Sequence, residues 1–365
     1  MSAAGSIAIA GGGLIGLSAA WRLAQRGWHV TVFDQGHMGG EASWAGAGML
    51  ALGGEIDAPS ELATLAIESR RLYPKFISEL REASGLAIDF QETGAVDLAY
   101  SAEELAALEA RAARQAELGI ESKPVLPARV GAFWPRVRKD GLTGARFYPG
   151  DGFVNPREVV VALCAVCRQL GVRMVQNCAV LGIEDRAGDV LVTTSEAASP
   201  QTSQMFHVAL IAAGAWSGSI AVIPVPIPAS EPVKGHLLGY QQPSQTCNTI
   251  IRHGHSYLMQ RANGLLIAGA SVEHVGFDRG IDSQIVLELS AQAGFVMPHL
   301  LETSPTETWV GFRPGSAQIR LGRWESGHVY LAYGHYRNGI LLAPVTAERL
   351  AAEMGADLGV RAEAT

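Results

Sequence analysis

The chain has 365 residues, of which 48% are hydrophobic and 17% charged, and its formal net charge is -7 at pH 7. This length and apolar content allow a large core and predict about two domains. The negative charge disfavours a bulk attraction to nucleic acid or anionic lipid, and no apolar run approaches the about 18 residues that a membrane span requires.

The first predicted elements form a strand–helix–strand unit. The apolar pattern predicts a strand over Ser6–Ala10, a helix over Leu14–Arg26 and a strand over Val30–Phe33. The residues from Gly11 to Gly16, between strand and helix, fit the dinucleotide-binding pattern G-x-G-x-x-G in the context that supports it. The residues before this unit lack the basic region of a secretion signal, so we expect a cytoplasmic protein.

Each glycine of this pattern has a physical reason. Gly11 makes the tight turn after the strand, Gly13 lets backbone N–H groups approach a pyrophosphate, and Gly16 allows close packing of helix and strand. The helix N-terminus offers the phosphates unpaired donors and a partial positive charge. Asp34 ends the second strand about 18 residues after Gly16, where a carboxylate can accept hydrogen bonds from ribose hydroxyls.

The next segment, from Gly39 to Met49, is rich in Gly and Ala and has no periodic pattern. Backbone of this composition can approach a flat ring closely, so we expect the segment to pack on a ligand. The dinucleotide pattern alone leaves both NAD and FAD open as that ligand.

Helices and strands alternate through the rest of the chain. The predicted helices are Glu61–Leu86 with a break at Pro74, Glu103–Leu118, Glu158–Leu170, Leu287–Met297 and Ile340–Met354. The predicted strands are Thr93–Tyr100, Met174–Val180, Leu191–Thr194, Val208–Ala213, Gly235–Tyr240, Thr249–Ile251, Tyr257–Gln260, Leu265–Ala270, Thr308–Phe312 and Val329–Tyr333. The concentration of strands after Val233 indicates a second, sheet-rich unit.

The cysteine pattern indicates neither a disulfide framework nor a metal site. The chain has four cysteines, too few for a disulfide-rich protein of this length. Cys164 and Cys167 form a C-x-x-C pair within a predicted helix, and no second pair of Cys or His follows at zinc spacing. We therefore interpret both as small apolar helix residues and predict no metal.

Several segments together resemble the FAD-dependent D-amino acid oxidase family, in particular its glycine oxidase branch. They are, in chain order, AGGGLIGLSAAWRLAQRGWHVTVFD, GGEASWAGAGML, FYPGDGFVNPREVV, ALIAAGAWSG, PVKGHLL, GLLIAGASVEHVGFD, WVGFRPG and GHYRNGILLAPVTAERLA. The resemblance spans nearly the whole chain, and its last segment is the most specific.

The resemblance implies an α/β plus α+β fold, with a Rossmann-like FAD-binding domain and an inserted substrate domain on an antiparallel sheet. The FAD-binding domain is expected at 1–80, 150–225 and 325–365, and the substrate-binding domain at 81–149 and 226–324. It also leads us to expect a homo-oligomer, and the net charge and the lack of a long apolar run predict no nucleic-acid partner and no membrane span.

The implied cofactor is FAD, held without a covalent bond because no cysteine lies near the C-terminal motif. The residues expected to bind it are Gly11, Gly13, Leu14, Ile15, Gly16, Asp34, Gln35, Ser43, Ala47, Gly48, Met49, Val180, Ala213, Gly214, Trp216, His335, Arg337, Asn338, Gly339 and Ile340.

An amino acid oxidase must hold a carboxylate, and arginine is suited to this because its guanidinium forms two parallel hydrogen bonds and keeps its charge. Arg313 follows an apolar strand, where an unpaired charge would be costly, and the resemblance implies that it binds the substrate carboxylate. The resemblance gives Tyr257 the second contact to that carboxylate.

Two further residues are candidates for catalysis. His255 lies two residues before Tyr257, so we expect both side chains on one face of a strand, with His255 near the substrate amine and His253 extending the row. The resemblance places Arg337, in the turn-rich segment before the last helix, near flavin and substrate.

The implied reaction is hydride transfer from the Cα of glycine, or of another small amine such as sarcosine or D-alanine, to flavin N5. The imine hydrolyses to an oxo acid such as glyoxylate and to ammonia, O2 becomes H2O2, and the expected role is thiamine thiazole biosynthesis. A D-amino acid dehydrogenase with another electron acceptor and a non-catalytic FAD-binding partner protein remain alternatives.

Overall fold

The computed structural model describes residues 5–196, 201–243, 247–325 and 327–363. Its α-helices, in chain order, are α1 (Leu14–Gln25), α2 (Ala42–Ala45), α3 (Leu52–Glu55), α4 (Glu61–Ser84), α5 (Ala102–Glu117), α6 (Pro127–Phe133), α7 (Pro156–Gln169), α8 (Ser283–Val296) and α9 (Gly339–Glu363). Short 3₁₀ helices span Gly214–Ser219, Pro298–Glu302 and Tyr336–Asn338.

The β-strands of the described residues form four sheets. In chain order they are β1 (Ser6–Ala10), β2 (His29–Phe33), β3 (Met49–Leu50), β4 (Phe90–Gln91), β5 (Ala95–Ala99), β6 (Lys123–Val125), β7 (Gly144–Tyr148), β8 (Gly152–Val154), β9 (Arg173–Val175), β10 (Cys178–Asp185), β11 (Val190–Glu196), β12 (Thr202–Phe206), β13 (Val208–Ile211), β14 (Ala221–Ile223), β15 (Glu231–Gln241), β16 (Ile250–His253), β17 (Ser256–Gln260), β18 (Leu265–Gly269), β19 (Glu307–Gly315), β20 (Arg320–Arg323) and β21 (Val329–Tyr333).

A mostly parallel sheet holds the strand–helix–strand unit. Its strand order is β20-β21-β13-β1-β2-β9, and only β20 is antiparallel to its neighbour. Ile9 in the central strand stands opposite Val32 on one side and Leu210 on the other. Helices α1, α4, α7 and α9 pack together over this sheet. The adjacent strands β1, β13 and β21 are largely apolar because both faces of such a sheet are covered.

A second, largely antiparallel sheet has the order β19-β15-β18-β17-β16-β5-β7-β6, with β16 and β5 parallel. Strands from before residue 150 and from after residue 230 thus pair in one sheet, and α8 packs against it. Two smaller sheets have the orders β12-β11-β10-β14 and β3-β8-β4. The domain boundaries given above stay a prediction.

Two sequence-based boundaries are wrong. Helix α4 continues through Pro74, where a break was predicted, and Tyr73, Phe76 and Ile77 beside the proline are fully buried. Packing therefore compensates for the hydrogen bond that the proline cannot make. The predicted strand Met174–Val180 is two strands, β9 and β10, in different sheets, because the chain turns at Asn177 with a left-handed φ of 54°.

Helix α9 contains Pro344 and is stabilised by its neighbour α4. Proline has no N–H, so Ile340 O loses its helical partner and accepts from the Tyr73 hydroxyl at 2.9 Å. The Ser69 hydroxyl donates to Leu341 O at 2.6 Å and accepts from Val345 N at 3.3 Å. Tyr73 of α4 thus replaces the bond that Pro344 removes, and Ser69 adds contacts to the following turn of α9. Across the described ranges, no helix combines the length and apolar character that crossing a membrane needs.

Candidate active site

A deep cleft begins at the carboxyl ends of β1 and β2 and extends to the antiparallel sheet. Ala10 and Phe33 line it from the first sheet, and Gly235 and Arg313 line it from the second. The cleft holds about 2210 Å³ of space, its solvent-open mouth included. Its lining continues from Gly11 at one end to Arg313 at the other, so the predicted nucleotide and substrate residues share one cleft.

The glycine pattern closes the near end of the cleft, as its spacing predicts. Gly11 has a left-handed φ of +109°, and a Cβ there would come within 2.3 Å of Ala212 O. A Cβ on Gly16 would lie 2.0 Å from Gly11 O. Side chains are therefore excluded at both positions. Gly16 does not line the cleft, so its contribution is the close packing of helix and strand.

The N-terminus of α1 points into the cleft. Gly13 at its N-cap provides no side-chain hydrogen bond, and Leu14 N donates instead to Ser43 Oγ at 2.8 Å. A Cβ on Gly13 would lie 3.2 Å from the same hydroxyl. The free helix donors and the Ser43 hydroxyl therefore face one small space, which suits a pyrophosphate.

Asp34 is held by backbone at the end of β2. Its two carboxylate oxygens accept from Gly12 N and Gly36 N, each at 2.8 Å. Burial raises the pKa of Asp34, while these two N–H groups act in the opposite direction. Each oxygen keeps a second lone pair, so the anchored carboxylate can still accept from a ribose hydroxyl.

The residues fit FAD along the whole cleft. Every residue predicted to bind the cofactor lines it except Gly16. A Cβ on Gly48, whose φ is +110°, would come within 1.9 Å of Val154 O, so this glycine is required for the close approach of its loop. These residues lie where a bound FAD would need them, and the role of each in FAD binding stays a prediction.

The far end of the cleft gathers the residues predicted to bind the substrate. Arg313 in β19 donates from Nη1 to Ser271 O at 3.0 Å and to Lys234 O at 3.3 Å. A Cβ on Gly235 would come within 2.4 Å of the guanidinium, so glycine leaves the space for it. Burial lowers the pKa of Arg313, yet a guanidinium stays charged in proteins.

Tyr257 lies beside Arg313 with its hydroxyl toward the cleft. Burial raises the pKa of Tyr257 to about 12, although the charges of Arg313 and Arg337 act in the opposite direction. The phenol is therefore neutral at physiological pH and can donate a hydrogen bond to a carboxylate. A Cβ on Gly269 would lie 2.7 Å from the hydroxyl, so the strand next to it makes room for the ring.

Glu55 is a site residue that the sequence-based prediction missed. It lines the cleft at the end of α3, and its Oε2 lies 3.0 Å from Arg337 Nε. The Glu55 side chain is 11% exposed, and burial raises its pKa while Arg337 lowers it. Helix α3 has only four residues in a glycine-rich stretch, so it carries no periodic signal in the sequence. Only the tertiary structure brings the Glu55 carboxylate near Arg337 and Arg313.

The two histidines of the β16–β17 hairpin differ from the prediction. His255 lines the cleft, but it stands in the turn between the strands, so it does not share a strand face with Tyr257. His253 lies elsewhere, with Nε2 at 3.4 Å from Glu104 Oε1 and its ring stacked on Phe295. Gly254, with a φ of +56°, turns the chain, so the predicted row of side chains on one face of a strand ends there.

His335 is buried at the start of the C-terminal motif. Its Nε2 lies 3.1 Å from Thr346 Oγ1, and burial lowers its pKa to about 4. The ring is therefore neutral at physiological pH. Asn338, Gly339 and Ile340 line the cleft beside it, where α9 begins.

The comparisons with known proteins agree with this architecture over nearly the whole chain. The profile of the DAO family, described as FAD dependent oxidoreductase, matches residues 6–353. A glycine oxidase from Bacillus licheniformis is 32% identical over 346 residues, covering 94% of this chain and 91% of the relative.

Two further relatives extend the comparison. The crystal structure of glycine oxidase from Geobacillus kaustophilus superposes with a TM-score of 0.89 at 28% identity, covering 97% of this chain and 95% of that one, which confirms the predicted fold class. The bifunctional protein ThiO/ThiG of Synechocystis sp. is 30% identical over 95% of this chain, which spans 51% of that longer protein.

Proposed function

The chain belongs to the FAD dependent oxidoreductase (DAO) family and is an FAD-dependent enzyme of the amino acid oxidase type, and from this premise we propose that it oxidises glycine. Other small amines such as sarcosine or D-alanine are included in the proposal. The observation that carries it is the convergence of Arg313, Tyr257 and Arg337 at the far end of the cleft that begins at the dinucleotide-binding glycines, together with the similarity to glycine oxidases.

The chain's own residues bind and orient the substrate. The Arg313 guanidinium, fixed on one edge by Ser271 O and Lys234 O, offers its other edge to the carboxylate. Tyr257 donates a second hydrogen bond from a hydroxyl that does not ionise at physiological pH. Two partners fix the orientation of the carboxylate, which aims the Cα–H toward the ring-binding part of the cleft.

Glu55 and Arg337 complete this end of the cleft. The Glu55–Arg337 ion pair balances the charge of Arg337, so the substrate carboxylate neutralises the remaining charge, that of Arg313. Bound FAD supplies the two-electron acceptor, and the protein contributes position and electrostatics. We find no side chain that must act as a base, since hydride transfer from a neutral amine does not require one.

The products and the pathway belong to the same proposal. The imine of glycine hydrolyses in water to glyoxylate and ammonia, and O2 is the proposed final acceptor, giving H2O2. The similarity to the ThiO half of a bifunctional ThiO/ThiG protein supports a role in thiamine thiazole biosynthesis in the cytoplasm.

The test is anaerobic reduction of the purified flavoprotein by glycine, sarcosine, D-alanine and D-proline, followed by a peroxide assay in air. Bleaching of the flavin absorbance by glycine, with peroxide formed in air, is the expected result. Reduction without peroxide would favour a dehydrogenase with another acceptor. No reduction by any of these amines would favour a non-catalytic FAD-binding protein and reject the proposal.

A further inference from the structure

The end of α2 and the loop after it lie along the cleft, and side chains bind the carbonyl oxygens of residues 44–47. Four consecutive carbonyl groups, residues 44–47, accept hydrogen bonds from side chains behind the loop. The donor–acceptor pairs are Arg157 Nε to Trp44 O at 3.1 Å, Trp309 Nε1 to Ala45 O at 2.9 Å, and Arg261 Nη2 to Gly46 O at 3.2 Å and to Ala47 O at 3.5 Å. We name Arg157, Arg261 and Trp309 the carbonyl clamp.

The clamp determines where the N–H groups of the loop point. Peptide bonds here are trans, so the N–H of each residue points opposite to the carbonyl of the residue before it. Because Gly46 O and Ala47 O face Arg261, the N–H groups of Ala47 and Gly48 face the other way. Both residues line the cleft, and neither N–H has an acceptor among the described residues. Two adjacent donors are therefore presented to a ligand.

The clamp is positively charged, and two of its three residues are buried, while Arg157 is half-buried. Arg261 is 3% exposed and Trp309 6%, and the Arg157 guanidinium lies 3.8 Å from the Trp44 ring centroid. Burial and the nearby charge of Arg157 lower the pKa of Arg261 to about 10, which still leaves it protonated at neutral pH. In the part of the chain that the structure describes, no carboxylate lies within ion-pair distance of Arg261. Its Nη2 instead contacts the two backbone carbonyls, and within the described residues its buried Nε has no hydrogen-bond partner.

We propose that Arg261, supported by Trp309 and Arg157, is a positioning residue for the cofactor, because it aims the N–H groups of Ala47 and Gly48 at an electronegative edge of the isoalloxazine ring. The clamp acts through the loop and touches neither the substrate nor the reacting atoms. The proposal uses the family's FAD and does not depend on glycine as the substrate.

The experiment compares Arg261→Met, Arg261→Lys and Trp309→Phe with the wild type and with Arg323→Met as a matched control. Arg323 also bonds a backbone carbonyl, Gly327 O at 2.9 Å, and lies over a tyrosine ring, but it does not line the cleft. The readouts are the Kd of the apoprotein for FAD from flavin fluorescence, the visible spectrum of bound flavin, and the melting temperature of each apoprotein.

We expect Arg261→Met to raise the Kd for FAD about tenfold or more, the effect of losing one charge-assisted hydrogen bond, and to shift the flavin absorbance band. Arg261→Lys and Trp309→Phe should show smaller changes of the same kind, and they keep the test valid if the methionine variant does not fold. A lower melting temperature with Kd and spectrum equal to those of Arg323→Met would overturn the proposal. Wild-type turnover of glycine is measured in parallel, and its absence would count only against the proposed function.

Discussion

At the scale of single residues, the substrate end of the cleft depends on one guanidinium. Arg313 is held by two carbonyl oxygens and shares its surroundings with Tyr257 and Arg337, so a carboxylate meets a donor array that is already in place. Preorganised donors cost little to order when the ligand binds. The affinity of the substrate should therefore fall sharply when this side chain is removed, while the distant nucleotide end is unaffected.

The first prediction concerns Arg313→Leu. We expect KM for the amine substrate to rise about 100-fold or more, because a charge-assisted bidentate contact is lost, while FAD stays bound. Steady-state kinetics and the flavin spectrum of the purified variant measure both quantities. Glu55→Asp is the matched comparison, since it shortens the neighbouring side chain but keeps the charge. An unchanged KM in Arg313→Leu would remove this residue from the substrate site.

The second prediction concerns the buried His335. Its folded-state pKa of about 4 lies below the unfolded value near 6.5, so between these pH values the unfolded chain binds a proton that the folded chain does not. Stability is therefore lost as the pH falls from 6.5 toward 4, by ~3 kcal/mol from this group. Urea denaturation of the wild type and of His335→Asn across this range should give a shallower pH dependence for the variant. Parallel curves would show that His335 is not the titrating group.

At the scale of elements, the contact between α4 and α9 matters most for the site, because α9 begins at the cleft. Pro344 interrupts the hydrogen bonds of α9 one turn after Gly339. Tyr73 of α4 supplies the missing partner of Ile340 O, and Ser69 binds the next turn at Leu341 O and Val345 N. The start of α9 is thus fixed by another helix and does not depend on its own ladder of hydrogen bonds.

The third prediction is that Ser69→Ala destabilises the protein by about 1–3 kcal/mol, because the buried groups Leu341 O and Val345 N lose their hydrogen bonds to the Ser69 hydroxyl. Urea or thermal unfolding of the apoprotein measures the loss. Ser84→Ala is the control, since that hydroxyl bonds Leu80 O at the exposed end of the same helix, and a change below about 0.5 kcal/mol is expected there. Equal effects of the two substitutions would argue against the bridging role.

At the scale of the whole molecule, the cleft is lined by residues of the parallel sheet and of the antiparallel sheet, which have no strand in common. The lining includes Gly11 and Asp34 beside the parallel sheet and Gly235 of the antiparallel sheet, so a dinucleotide bound there would bridge the two. Binding to the folded state alone must raise its stability.

The fourth prediction is that FAD stabilises the apoprotein by roughly 2.7 kcal/mol at a free concentration 100 times its Kd. FMN, which lacks the adenosine half, should stabilise less because it cannot reach the Asp34 end of the cleft. Unfolding of the apoprotein at increasing ligand concentrations tests both.

We also expect denaturation to release all flavin into the filtrate, since the four cysteines are buried and none lines the cleft. Flavin that stays with the precipitated chain would contradict non-covalent binding.

Much of the nucleotide end could be predicted from the sequence. The strand at Ser6–Ala10, the helix starting at Leu14 and the turn at Gly11 depend on neighbours within one strand–helix unit, where periodicity and the steric freedom of glycine leave few alternatives. The family resemblance indicates Arg313 and Tyr257 as substrate-binding residues, and the cost of an unpaired charge supports Arg313. Both line the cleft. The assignment of their roles remains a prediction.

Other features were decided by the tertiary structure. The approach of Glu55 to Arg337, the Arg261 contact with Gly46 and Ala47, and the hydrogen bond of Tyr73 to Ile340 O join residues far apart in the chain. The continuity of α4 through Pro74 likewise depends on packing around it. Local pattern determines which backbone conformations a segment favours, but burial and long-range contacts determine which charges meet and which broken hydrogen bonds are replaced, because those free energies exist only in the folded chain.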